Sequence, residues 1–402
     1  MTRRQLFGSL CVLVFLVNLA RVIFAPLLQP AAADFGVSAA ALGVVTSAAW
    51  LGSAAPRLPT GYLLTHFPRH QVIAATGTLL VFTSGFTAFA GSVSHLVAGA
   101  FLMGVSSGMY FIAANPLVSE LFPDRVGSAI GIHGMASQIA AVIAPLLISG
   151  ILLFGNWQHA FILISLVAAV GTLFLVRAAR QTTLPDAGVD DRSLLVAAKA
   201  QWPIVLTGIC IIGATGFLWN ALFNLYGDYL EVAKGIDPET GRLLLSVMFA
   251  AGVPAFVVTG RLADRVPYIP LLLAIIGSFA VSVFVLTVVD GLIAIVFLSF
   301  LIGYIVHSLF PAIDTYLLDS LPDHHRASAY ALYSSVMMFV QALGSGAVGT
   351  AVSRGFSYDL AFQLLAVGVS AVAIGLAVLH RNGRLPTGGR QVDASDTAPG
   401  DS

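Results

Sequence analysis

The sequence predicts an all-α membrane protein, with 12 transmembrane helices in two pseudo-symmetric six-helix bundles. Only 9% of the 402 residues are charged and the mean hydropathy is +0.92, whereas a soluble domain carries about 25% charged residues. Twelve apolar stretches are long enough to cross a bilayer as helices, which takes about 20 residues. The two halves of the chain also share motifs at a constant spacing.

The predicted spans are separated by short polar breaks. They cover residues 6–29, 38–64, 70–91, 95–119, 127–153, 158–177, 202–229, 240–262, 268–289, 291–317, 328–352 and 359–380. The longest internal break separates six spans from six. We therefore expect an N-terminal bundle (1–178), a cytoplasmic linker (179–201), a C-terminal bundle (202–380) and a disordered tail (381–402).

The distribution of basic residues predicts that both termini are cytoplasmic, because cytoplasmic loops are enriched in Lys and Arg. With an inside N-terminus, the outer loops receive only Lys234, Arg242 and Arg354. The inner loops receive the larger group: Arg3, Arg4, Arg69, Arg125, Arg177, Arg180, Arg192, Lys199, Arg261, Arg265, Arg326, Arg381, Arg384 and Arg390. Arg21 and Arg57 lie within spans.

Composition also limits the function. Equal numbers of basic and acidic residues, 19 each, argue against a nucleic-acid partner. No metal-ligand spacing, phosphate loop or ATP-binding domain is present in the sequence, so we expect no cofactor. Gly104-Val-Ser-Ser-Gly108 matches a nucleophile elbow by letters. It lies inside an apolar helix rather than after a strand, so we interpret it as helix packing and expect no enzyme activity.

The two halves match at an offset of 199 residues. The matching positions include Gly61 and Gly260, Leu63 and Leu262, Glu120 and Asp319, Pro123 and Pro322, Asp124 and Asp323, Phe24 and Phe223, and Cys11 and Cys210. Several matches at one gap-free offset indicate an internal repeat. Parallel six-helix repeats are typical of transporters with a substrate site at the repeat interface near the bilayer midplane.

The loop after the eighth span reads Gly260-Arg-Leu-Ala-Asp-Arg-Val266 and resembles the signature of the major facilitator superfamily. The first-half copy, Gly61 to His70, has Thr65 in place of the aspartate and His66 in place of the first arginine. This resemblance implies a secondary transporter in which two bundles rock about a central site. It also implies that helices 1, 4, 7 and 10 line the cavity, with 2, 5, 8 and 11 beside them.

Two arginines within spans are candidate substrate-binding residues. Arg21 lies halfway along the first span, where a charge needs a wet cavity or a partner. Arg57 lies about one turn from the inner end of the second span and can snorkel. Organic-anion members of the superfamily place an arginine on the first helix, and nitrate-type members carry Arg-x-Pro on the second. Those pair it with a second arginine, whereas Phe256 stands at the matching position here.

Titratable residues within spans are candidates for ion coupling. Asp314 is the carboxylate farthest from a loop and is either a counter-ion for an arginine or the site of a coupling proton. His133 and His307 could titrate near neutral pH or be hydrogen-bonded core residues.

Neutral polar and aromatic residues on the cavity-lining helices complete the predicted substrate site, with interhelical hydrogen bonding as the alternative role. They are Tyr110, Asn115, Gln138, Trp219, Asn220 and Asn224. Asn220 is the repeat mate of Arg21.

The loop charges predict an inner latch. We expect Arg265 to pair with Asp319, and Arg69 or His66 to pair with Glu120, when the carrier faces outward. The signature residues Gly61, Gly260 and Asp264 are assigned to the same gate.

The sequence thus predicts a prokaryotic plasma-membrane transporter that acts as a monomer and is coupled to an ion, most simply a proton. Its substrate is expected to be a small organic anion, because of Arg21 and Arg57. The alternatives are efflux of amphipathic drugs by proton antiport and, from another class, a receptor or sensor that does not transport.

Overall fold

A computed structural model describes residues 3–37, 42–184 and 193–388; most of the predicted tail and part of the linker lie outside these ranges. The described chain is helical. Its helices are α1 (Arg3–Val22), α2 (Phe24–Phe35), α3 (Gly43–Ala54), α4 (Arg57–Leu63), α5 (Arg69–Ala88), α6 (Val93–Leu121), α7 (Val126–Leu152), α8 (Gln158–Arg180), α9 (Leu194–Ala200), α10 (Trp202–Lys234), α11 (Pro238–Ala263), α12 (Tyr268–Val288), α13 (Leu292–Ser320), α14 (Asp323–Ala342), α15 (Gly344–Ser353) and α16 (Tyr358–Arg381).

Within the described ranges, 11 helices are long and apolar enough to cross a membrane. The second predicted span, residues 38–64, is not among them, because it is interrupted between α3 and α4. Pro56 stands at the interruption and lacks the amide hydrogen that a continuous helix requires. The short helices α3 and α4 together occupy the place of this span, so the all-α membrane fold is confirmed.

Two further spans are also interrupted. The first breaks after Val22, four residues before Pro26, which cannot donate to the Val22 carbonyl. The eleventh breaks between α14 and α15 at Gly344, where a Cβ would lie 2.1 Å from the Phe217 carbonyl oxygen. Close approach of two backbones therefore requires glycine at this position.

The repeat is visible in the helix boundaries. Both ends of α6 lie 199 residues before the ends of α13, and both helices contain 29 residues. The first residue of α5, Arg69, lies 199 residues before the first residue of α12, Tyr268. We call α1 to α8 the first half and α10 to α16 the second half.

The most extensive contacts between the halves are those of α7 with α11 and of α4 with α14, and α6 and α7 also contact α13. A Cβ on Gly260 would lie 2.4 Å from the Gly127 carbonyl oxygen, and a Cβ on Gly61 would lie 2.5 Å from the Cβ of Ala331. Small residues let helix backbones pack this closely. Gly61 and Gly260 are repeat mates, and both lie in the contact between the halves.

We call the end of the bundle that carries the α4–α5 and α11–α12 loops the inner end, since basic residues predict that it faces the cytoplasm. The opposite end is the outer end. There, Ser92 caps the start of α6 and Asp237 caps the start of α11. The Thr240 amide donates to the Asp237 carboxylate over 2.9 Å and holds the pKa of Asp237 below its ordinary value.

The described part of the C-terminal tail, up to residue 388, contacts the inner end of the second half. The Tyr316 hydroxyl on α13 donates to the Pro386 carbonyl over 3.0 Å. Leu385 packs against the apolar core. These contacts place residues 385–388 beneath α13.

Candidate functional site

Arg21 projects from α1 towards α3 and α6 and has no carboxylate partner. Its guanidinium donates to Asn18 Oδ1 over 2.5 Å and to Ser53 Oγ over 3.4 Å. It also lies over the Trp50 ring, 4.3 Å from the ring centroid, and 5.7 Å from that of Phe111. Across the described ranges, no Asp or Glu oxygen lies within 4.0 Å of Arg21.

The Arg21 side chain is also incompletely hydrogen-bonded. Its Nε is buried and has no hydrogen-bond partner among the described residues. Trp50, whose ring lies against this guanidinium, is 40% exposed. The Arg21 guanidinium thus has a positive charge, contacts with aromatic rings and an asparagine, and no counter-ion among the described residues. Such a group is suited to binding an anion.

Arg57 lies next to Arg21 and is only 6% exposed. Its Nε donates to the Ser53 carbonyl oxygen over 3.2 Å, so the hydroxyl and carbonyl of Ser53 bind one arginine each. Arg57 Nη1 donates to Ser334 Oγ on α14, in the second half. Arg57 therefore joins the first-half site to the contact between the halves.

Asn115 on α6 and Asp314 on α13 form the centre of a second polar group. Asn115 Nδ2 donates to Asp314 Oδ2 over 3.2 Å and to the Tyr330 hydroxyl over 2.7 Å. The Tyr330 hydroxyl in turn donates to Asp314 Oδ1 over 3.1 Å. Arg57 joins this group through Ser334, which lies one helical turn from Tyr330 on α14. We call Arg57, Asn115, Asp314, Tyr330 and Ser334 the midline cluster.

The second half contributes mainly aromatic rings to the site, whereas the first half contributes two arginines, Arg21 and Arg57. Trp219 on α10 lies 5.9 Å from Phe223 and 6.4 Å from Phe249 on α11. His307 on α13 is 5.6 Å from both Trp219 and Phe249. Farther inward, Phe256 stacks on Phe310 at 6.2 Å. We call these six residues the aromatic cluster.

His307 is 3% exposed and hydrogen-bonds through Nδ1 to the Gly303 carbonyl over 2.7 Å. Its neighbour Gln138 on α7 is 8% exposed. A Cβ on Gly252 would meet both side chains, at 2.6 Å from Gln138 and 2.8 Å from His307. Gln138 therefore lies where the first half contacts the aromatic cluster.

Tyr110 and His133 are paired inside the first half. The Tyr110 hydroxyl donates to the Leu10 carbonyl over 2.6 Å and lies 3.1 Å from His133 Nε2, with the rings stacked. Tyr110 is fully buried and His133 is 2% exposed. These contacts are those of the alternative roles named for both residues, interhelical hydrogen bonding for Tyr110 and a hydrogen-bonded core residue for His133.

Asn220 and Asn224 are engaged with backbone groups. Asn220 Oδ1 accepts from the Ser345 amide over 3.3 Å, where α14 breaks into α15. Asn224 is exposed, and its Nδ2 donates to the Asn220 carbonyl over 2.9 Å. Asn220 does occupy the position in the second half that Arg21 occupies in the first.

The inner end is closed by contacts between the halves. Asp264, at the end of α11, accepts from the Gly127 amide over 2.6 Å, from the Ser128 amide over 2.8 Å, and from the Ser128 hydroxyl. These amides are the unpaired donors at the start of α7, where a negative charge is favourable. We call this contact the Asp264 clasp.

Glu120 forms a second closure at the inner end. It pairs with Arg69 of its own half at 2.5 Å and with Arg326 of the other half at 3.3 Å. All three side chains are at most 7% exposed. Arg326 also pairs with Asp323, which is 73% exposed.

The expected pair between Arg265 and Asp319 does not form, and this prediction is wrong. Asp319 instead accepts from the Tyr268 hydroxyl over 2.8 Å, within the second half. His66, the alternative partner of Glu120, hydrogen-bonds to Thr65 over 2.8 Å. Arg265 lines an inner surface cavity of about 410 Å³ beside the Asp264 clasp.

Several residues of the site were missed by sequence reasoning. They are Ser53, Trp50, Phe111, Phe249, Phe310, Tyr330 and Ser334. The repeat offset could have identified four of them, since it pairs aromatic residues in the two halves: Trp50 with Phe249, and Phe111 with Phe310. Ser53, Tyr330 and Ser334 are small or common helix residues, and the sequence does not distinguish them from packing residues.

Two repeated helical bundles that enclose an uncompensated arginine and close at one end define a membrane carrier. The chain belongs to the Major Facilitator Superfamily, whose family model matches residues 10–287 and 209–398. It is therefore an integral multi-pass membrane protein, and the family to which it belongs consists of transporters rather than enzymes.

Curated relatives are distant. A protein described as a probable sulfoacetate transporter of Cupriavidus necator is 26% identical over 285 residues, which is 66% of this chain and 66% of that protein. The match therefore spans just under two thirds of that relative. A 4-hydroxybenzoate transporter of Pseudomonas putida is 25% identical over 86% of this chain and 85% of its own.

Solved structures share the fold. The proton:xylose symporter structure with bound 6-bromo-6-deoxy-D-glucose superposes with a TM-score of 0.77 over 96% of this chain and 97% of its own, at 13% identity. The fucose transporter in the outward conformation superposes with a TM-score of 0.71 over 92% and 98%, at 15% identity.

Proposed function

We propose that this protein moves a small organic anion across the plasma membrane by alternating access. The observation that carries the proposal is the Arg21 guanidinium, which has accessible aromatic neighbours and no carboxylate partner among the described residues. A second arginine, Arg57, lies on the same serine. Two adjacent positive charges within a membrane are costly unless an anion or another carboxylate compensates them.

The relatives support an anionic substrate. One is described as a sulfoacetate transporter, one as a 4-hydroxybenzoate transporter and one, from Bacillus subtilis, as a nitrite extrusion protein. Efflux of cationic drugs fits the site less well, because such a solute would meet Arg21 and Arg57 at close range.

The rocking bodies are the bundles 1–178 and 202–380, within a functional monomer with both termini in the cytoplasm. The hydrogen bonds between the halves described above lie in the midline cluster and at the inner end, and none of them joins residues at the outer end. This arrangement supports assignment of the structure to an outward-facing state, with Gly61, Arg69, Glu120, Gly260 and Asp264 in the closed inner gate. Opening that gate would release the anion to the cytoplasm.

We assign proton coupling to Asp314. It bridges the halves through Asn115 and Tyr330, and Arg57 and Tyr333 are its other ionisable neighbours. A proton on Asp314 would remove the negative charge that faces Arg57 and weaken the acceptor in the midline cluster. Protonation would thereby favour separation of the halves at the inner end.

The test is uptake of radiolabelled carboxylates such as benzoate and propionate by proteoliposomes reconstituted with the full chain. We expect uptake above that of protein-free liposomes, and more of it with an imposed pH gradient. Arg21→Gln should reduce transport at least tenfold, because a charge-assisted contact is lost. Arg242→Gln, at an exposed outer position, is the matched control and should behave like the wild type. Transport of cationic dyes that survives Arg21→Gln would overturn the proposal.

A further inference from the structure

We propose that the substrate is an aromatic monoanion of the aryl carboxylate class, with its charged group on Arg21 and its ring against the aromatic cluster of the second half. This inference rests on the proposed function and specifies the substrate class of the same site.

The first step is the asymmetry between repeat mates. In the first half, Arg21 is surrounded by Trp50 and Phe111. At the matching positions, the second half has Asn220, Phe249 and Phe310. The position that matches Arg57 is Phe256. The two halves of the site therefore have similar aromatic walls, but only the first half is cationic.

The second step is depth along the bundle. Asn18, which binds Arg21, donates to the Ser137 carbonyl on α7 over 2.7 Å. Gly134, on the same helix α7, lies against the Phe256 ring of α11. A Cβ on Gly134 would be 2.2 Å from that ring. Gln138, next to Ser137, lies beside His307. Residues 134 to 138 span about 6 Å of helix. The charged and aromatic halves thus lie at nearly the same depth.

The third step is accessibility. Trp219, Phe249 and Phe310 are half-buried, whereas buried packing tyrosines such as Tyr110 and Tyr226 have no exposed surface. These rings come from three helices and converge on the buried His307. Each ring therefore keeps accessible surface beside the face that His307 covers, and this surface is what the ring of a ligand would contact.

The chemistry of these walls selects the ligand. A guanidinium binds a carboxylate or sulfonate through paired hydrogen bonds, and the stacked Trp50 ring fixes its plane. Phenylalanine and tryptophan faces accept the edges of another ring, which prefers edge-to-face contact. The aromatic cluster contains no lysine or arginine, so a second anionic group at the far end of the ligand would lack a partner.

The experiment measures binding of radiolabelled benzoate to the purified full-length protein, with four competitors: cyclohexanecarboxylate, terephthalate, propionate and benzyl alcohol. We expect benzoate to bind about three- to tenfold tighter than cyclohexanecarboxylate, which has similar size but no π-system. Terephthalate should compete poorly because its second carboxylate would lie against the aromatic cluster. Benzyl alcohol should compete poorly because it has no negative charge to bind Arg21.

Two variants test the aromatic wall. Phe249→Leu and Phe310→Leu should each bring the ratio of benzoate to cyclohexanecarboxylate affinity close to one while propionate affinity is retained. Phe284→Leu is the control, since Phe284 is 41% exposed on α12, outside the aromatic cluster. Equal affinity for benzoate and cyclohexanecarboxylate in the wild type, or an unchanged ratio in both variants, would overturn the aromatic assignment.

The outcome also separates this inference from the proposed function. Equal binding of all carboxylates that depends on Arg21 would leave an anion transporter and reject an aromatic substrate. Absence of binding by every carboxylate, propionate included, would reject both.

Discussion

Asn115 donates a hydrogen bond to Asp314 over 3.2 Å, and the two residues are repeat mates, separated by the offset of 199. Mates in a two-fold repeat lie at equal distances from the symmetry axis, on opposite sides of it. Direct contact between them therefore places both next to the pseudo-two-fold axis, one on each side. Asp314 consequently lies where the halves must separate if the inner end is to open.

Asp314→Asn should uncouple transport from the pH gradient. The amide keeps a hydrogen-bond acceptor for Tyr330 but cannot take up a proton. We expect anion exchange at equal pH to continue and accumulation driven by a pH gradient to be lost, as measured by counterflow and gradient-driven uptake in proteoliposomes. Asp319→Asn, which alters the acid bonded to Tyr268, is the control. Normal accumulation by Asp314→Asn would exclude this residue from coupling.

Asp264→Ala should shift the protein towards an inner-open state. The variant leaves the Gly127 and Ser128 amides at the start of α7 without their acceptor. Spin labels at the exposed positions 125 and 261, one in each half, would report the separation of the inner ends by pulsed electron resonance. Relative to the wild type, we expect the ratio of long to short distances between the two labels to rise about 5- to 150-fold in Asp264→Ala.

Thr65→Ala is the matched control for the Asp264 clasp. Thr65 occupies the mate position of Asp264, but its hydroxyl donates locally to the Tyr62 carbonyl over 2.7 Å. The distance distribution of Thr65→Ala should therefore match the wild type. If the two variants give the same distribution, the clasp does not hold the inner end.

Glu120→Gln should strongly destabilise the protein. It leaves the buried Arg69 and Arg326 guanidiniums without their shared carboxylate, and removing one partner of a buried ion pair costs about 3–5 kcal/mol. Asp323→Asn removes the exposed partner of Arg326 and should cost about 0–1 kcal/mol. Thermal unfolding of both variants in detergent measures the difference; similar midpoints would contradict a buried network.

Gly260→Ala should prevent close contact of α7 with α11. The added Cβ would lie 2.4 Å from the Gly127 carbonyl oxygen and 2.9 Å from Gly131 Cα, and both are main-chain atoms that cannot rotate away. We expect slower transport and a wider inner distance between the same spin labels. Gly277→Ala, with no atom within 4 Å of its Cβ, should be neutral. Normal transport by Gly260→Ala would show that the halves need not touch here.

Much of the fold followed from the sequence, because hydrocarbon thickness fixes span length. The predicted spans 95–119 and 291–317 correspond to α6 and α13, whose boundaries keep the repeat offset. The break between α3 and α4 was not predicted, although Pro56 and Pro59 lie beside it. A proline in a membrane helix can be tolerated when neighbours satisfy the freed carbonyls, so hydropathy alone does not show where a helix ends.

The site was predicted less well than the fold. Arg21 and Asp314 were identifiable because charges are rare in spans. The Arg265 pairing was wrong because loop charges have several acceptors within reach, and Tyr268 was nearer to Asp319. The partner of Asp264 was unforeseen because backbone amides at a helix start have no sequence signal.

The position of the contacts between the halves along α7 determines how far the outer end of this helix would move in the proposed rocking motion. The contacts between the halves run from Gly127 to Gln138 on α7, and about 21 Å of the same helix continues beyond them to Leu152. Leu146 on this extension is 70% exposed. With the pivot near Gln138, each degree of tilt displaces the end of α7 by about 0.4 Å. In the proposed rocking motion, a small angular change at the glycine contacts would therefore widen the separation of the halves at the outer end.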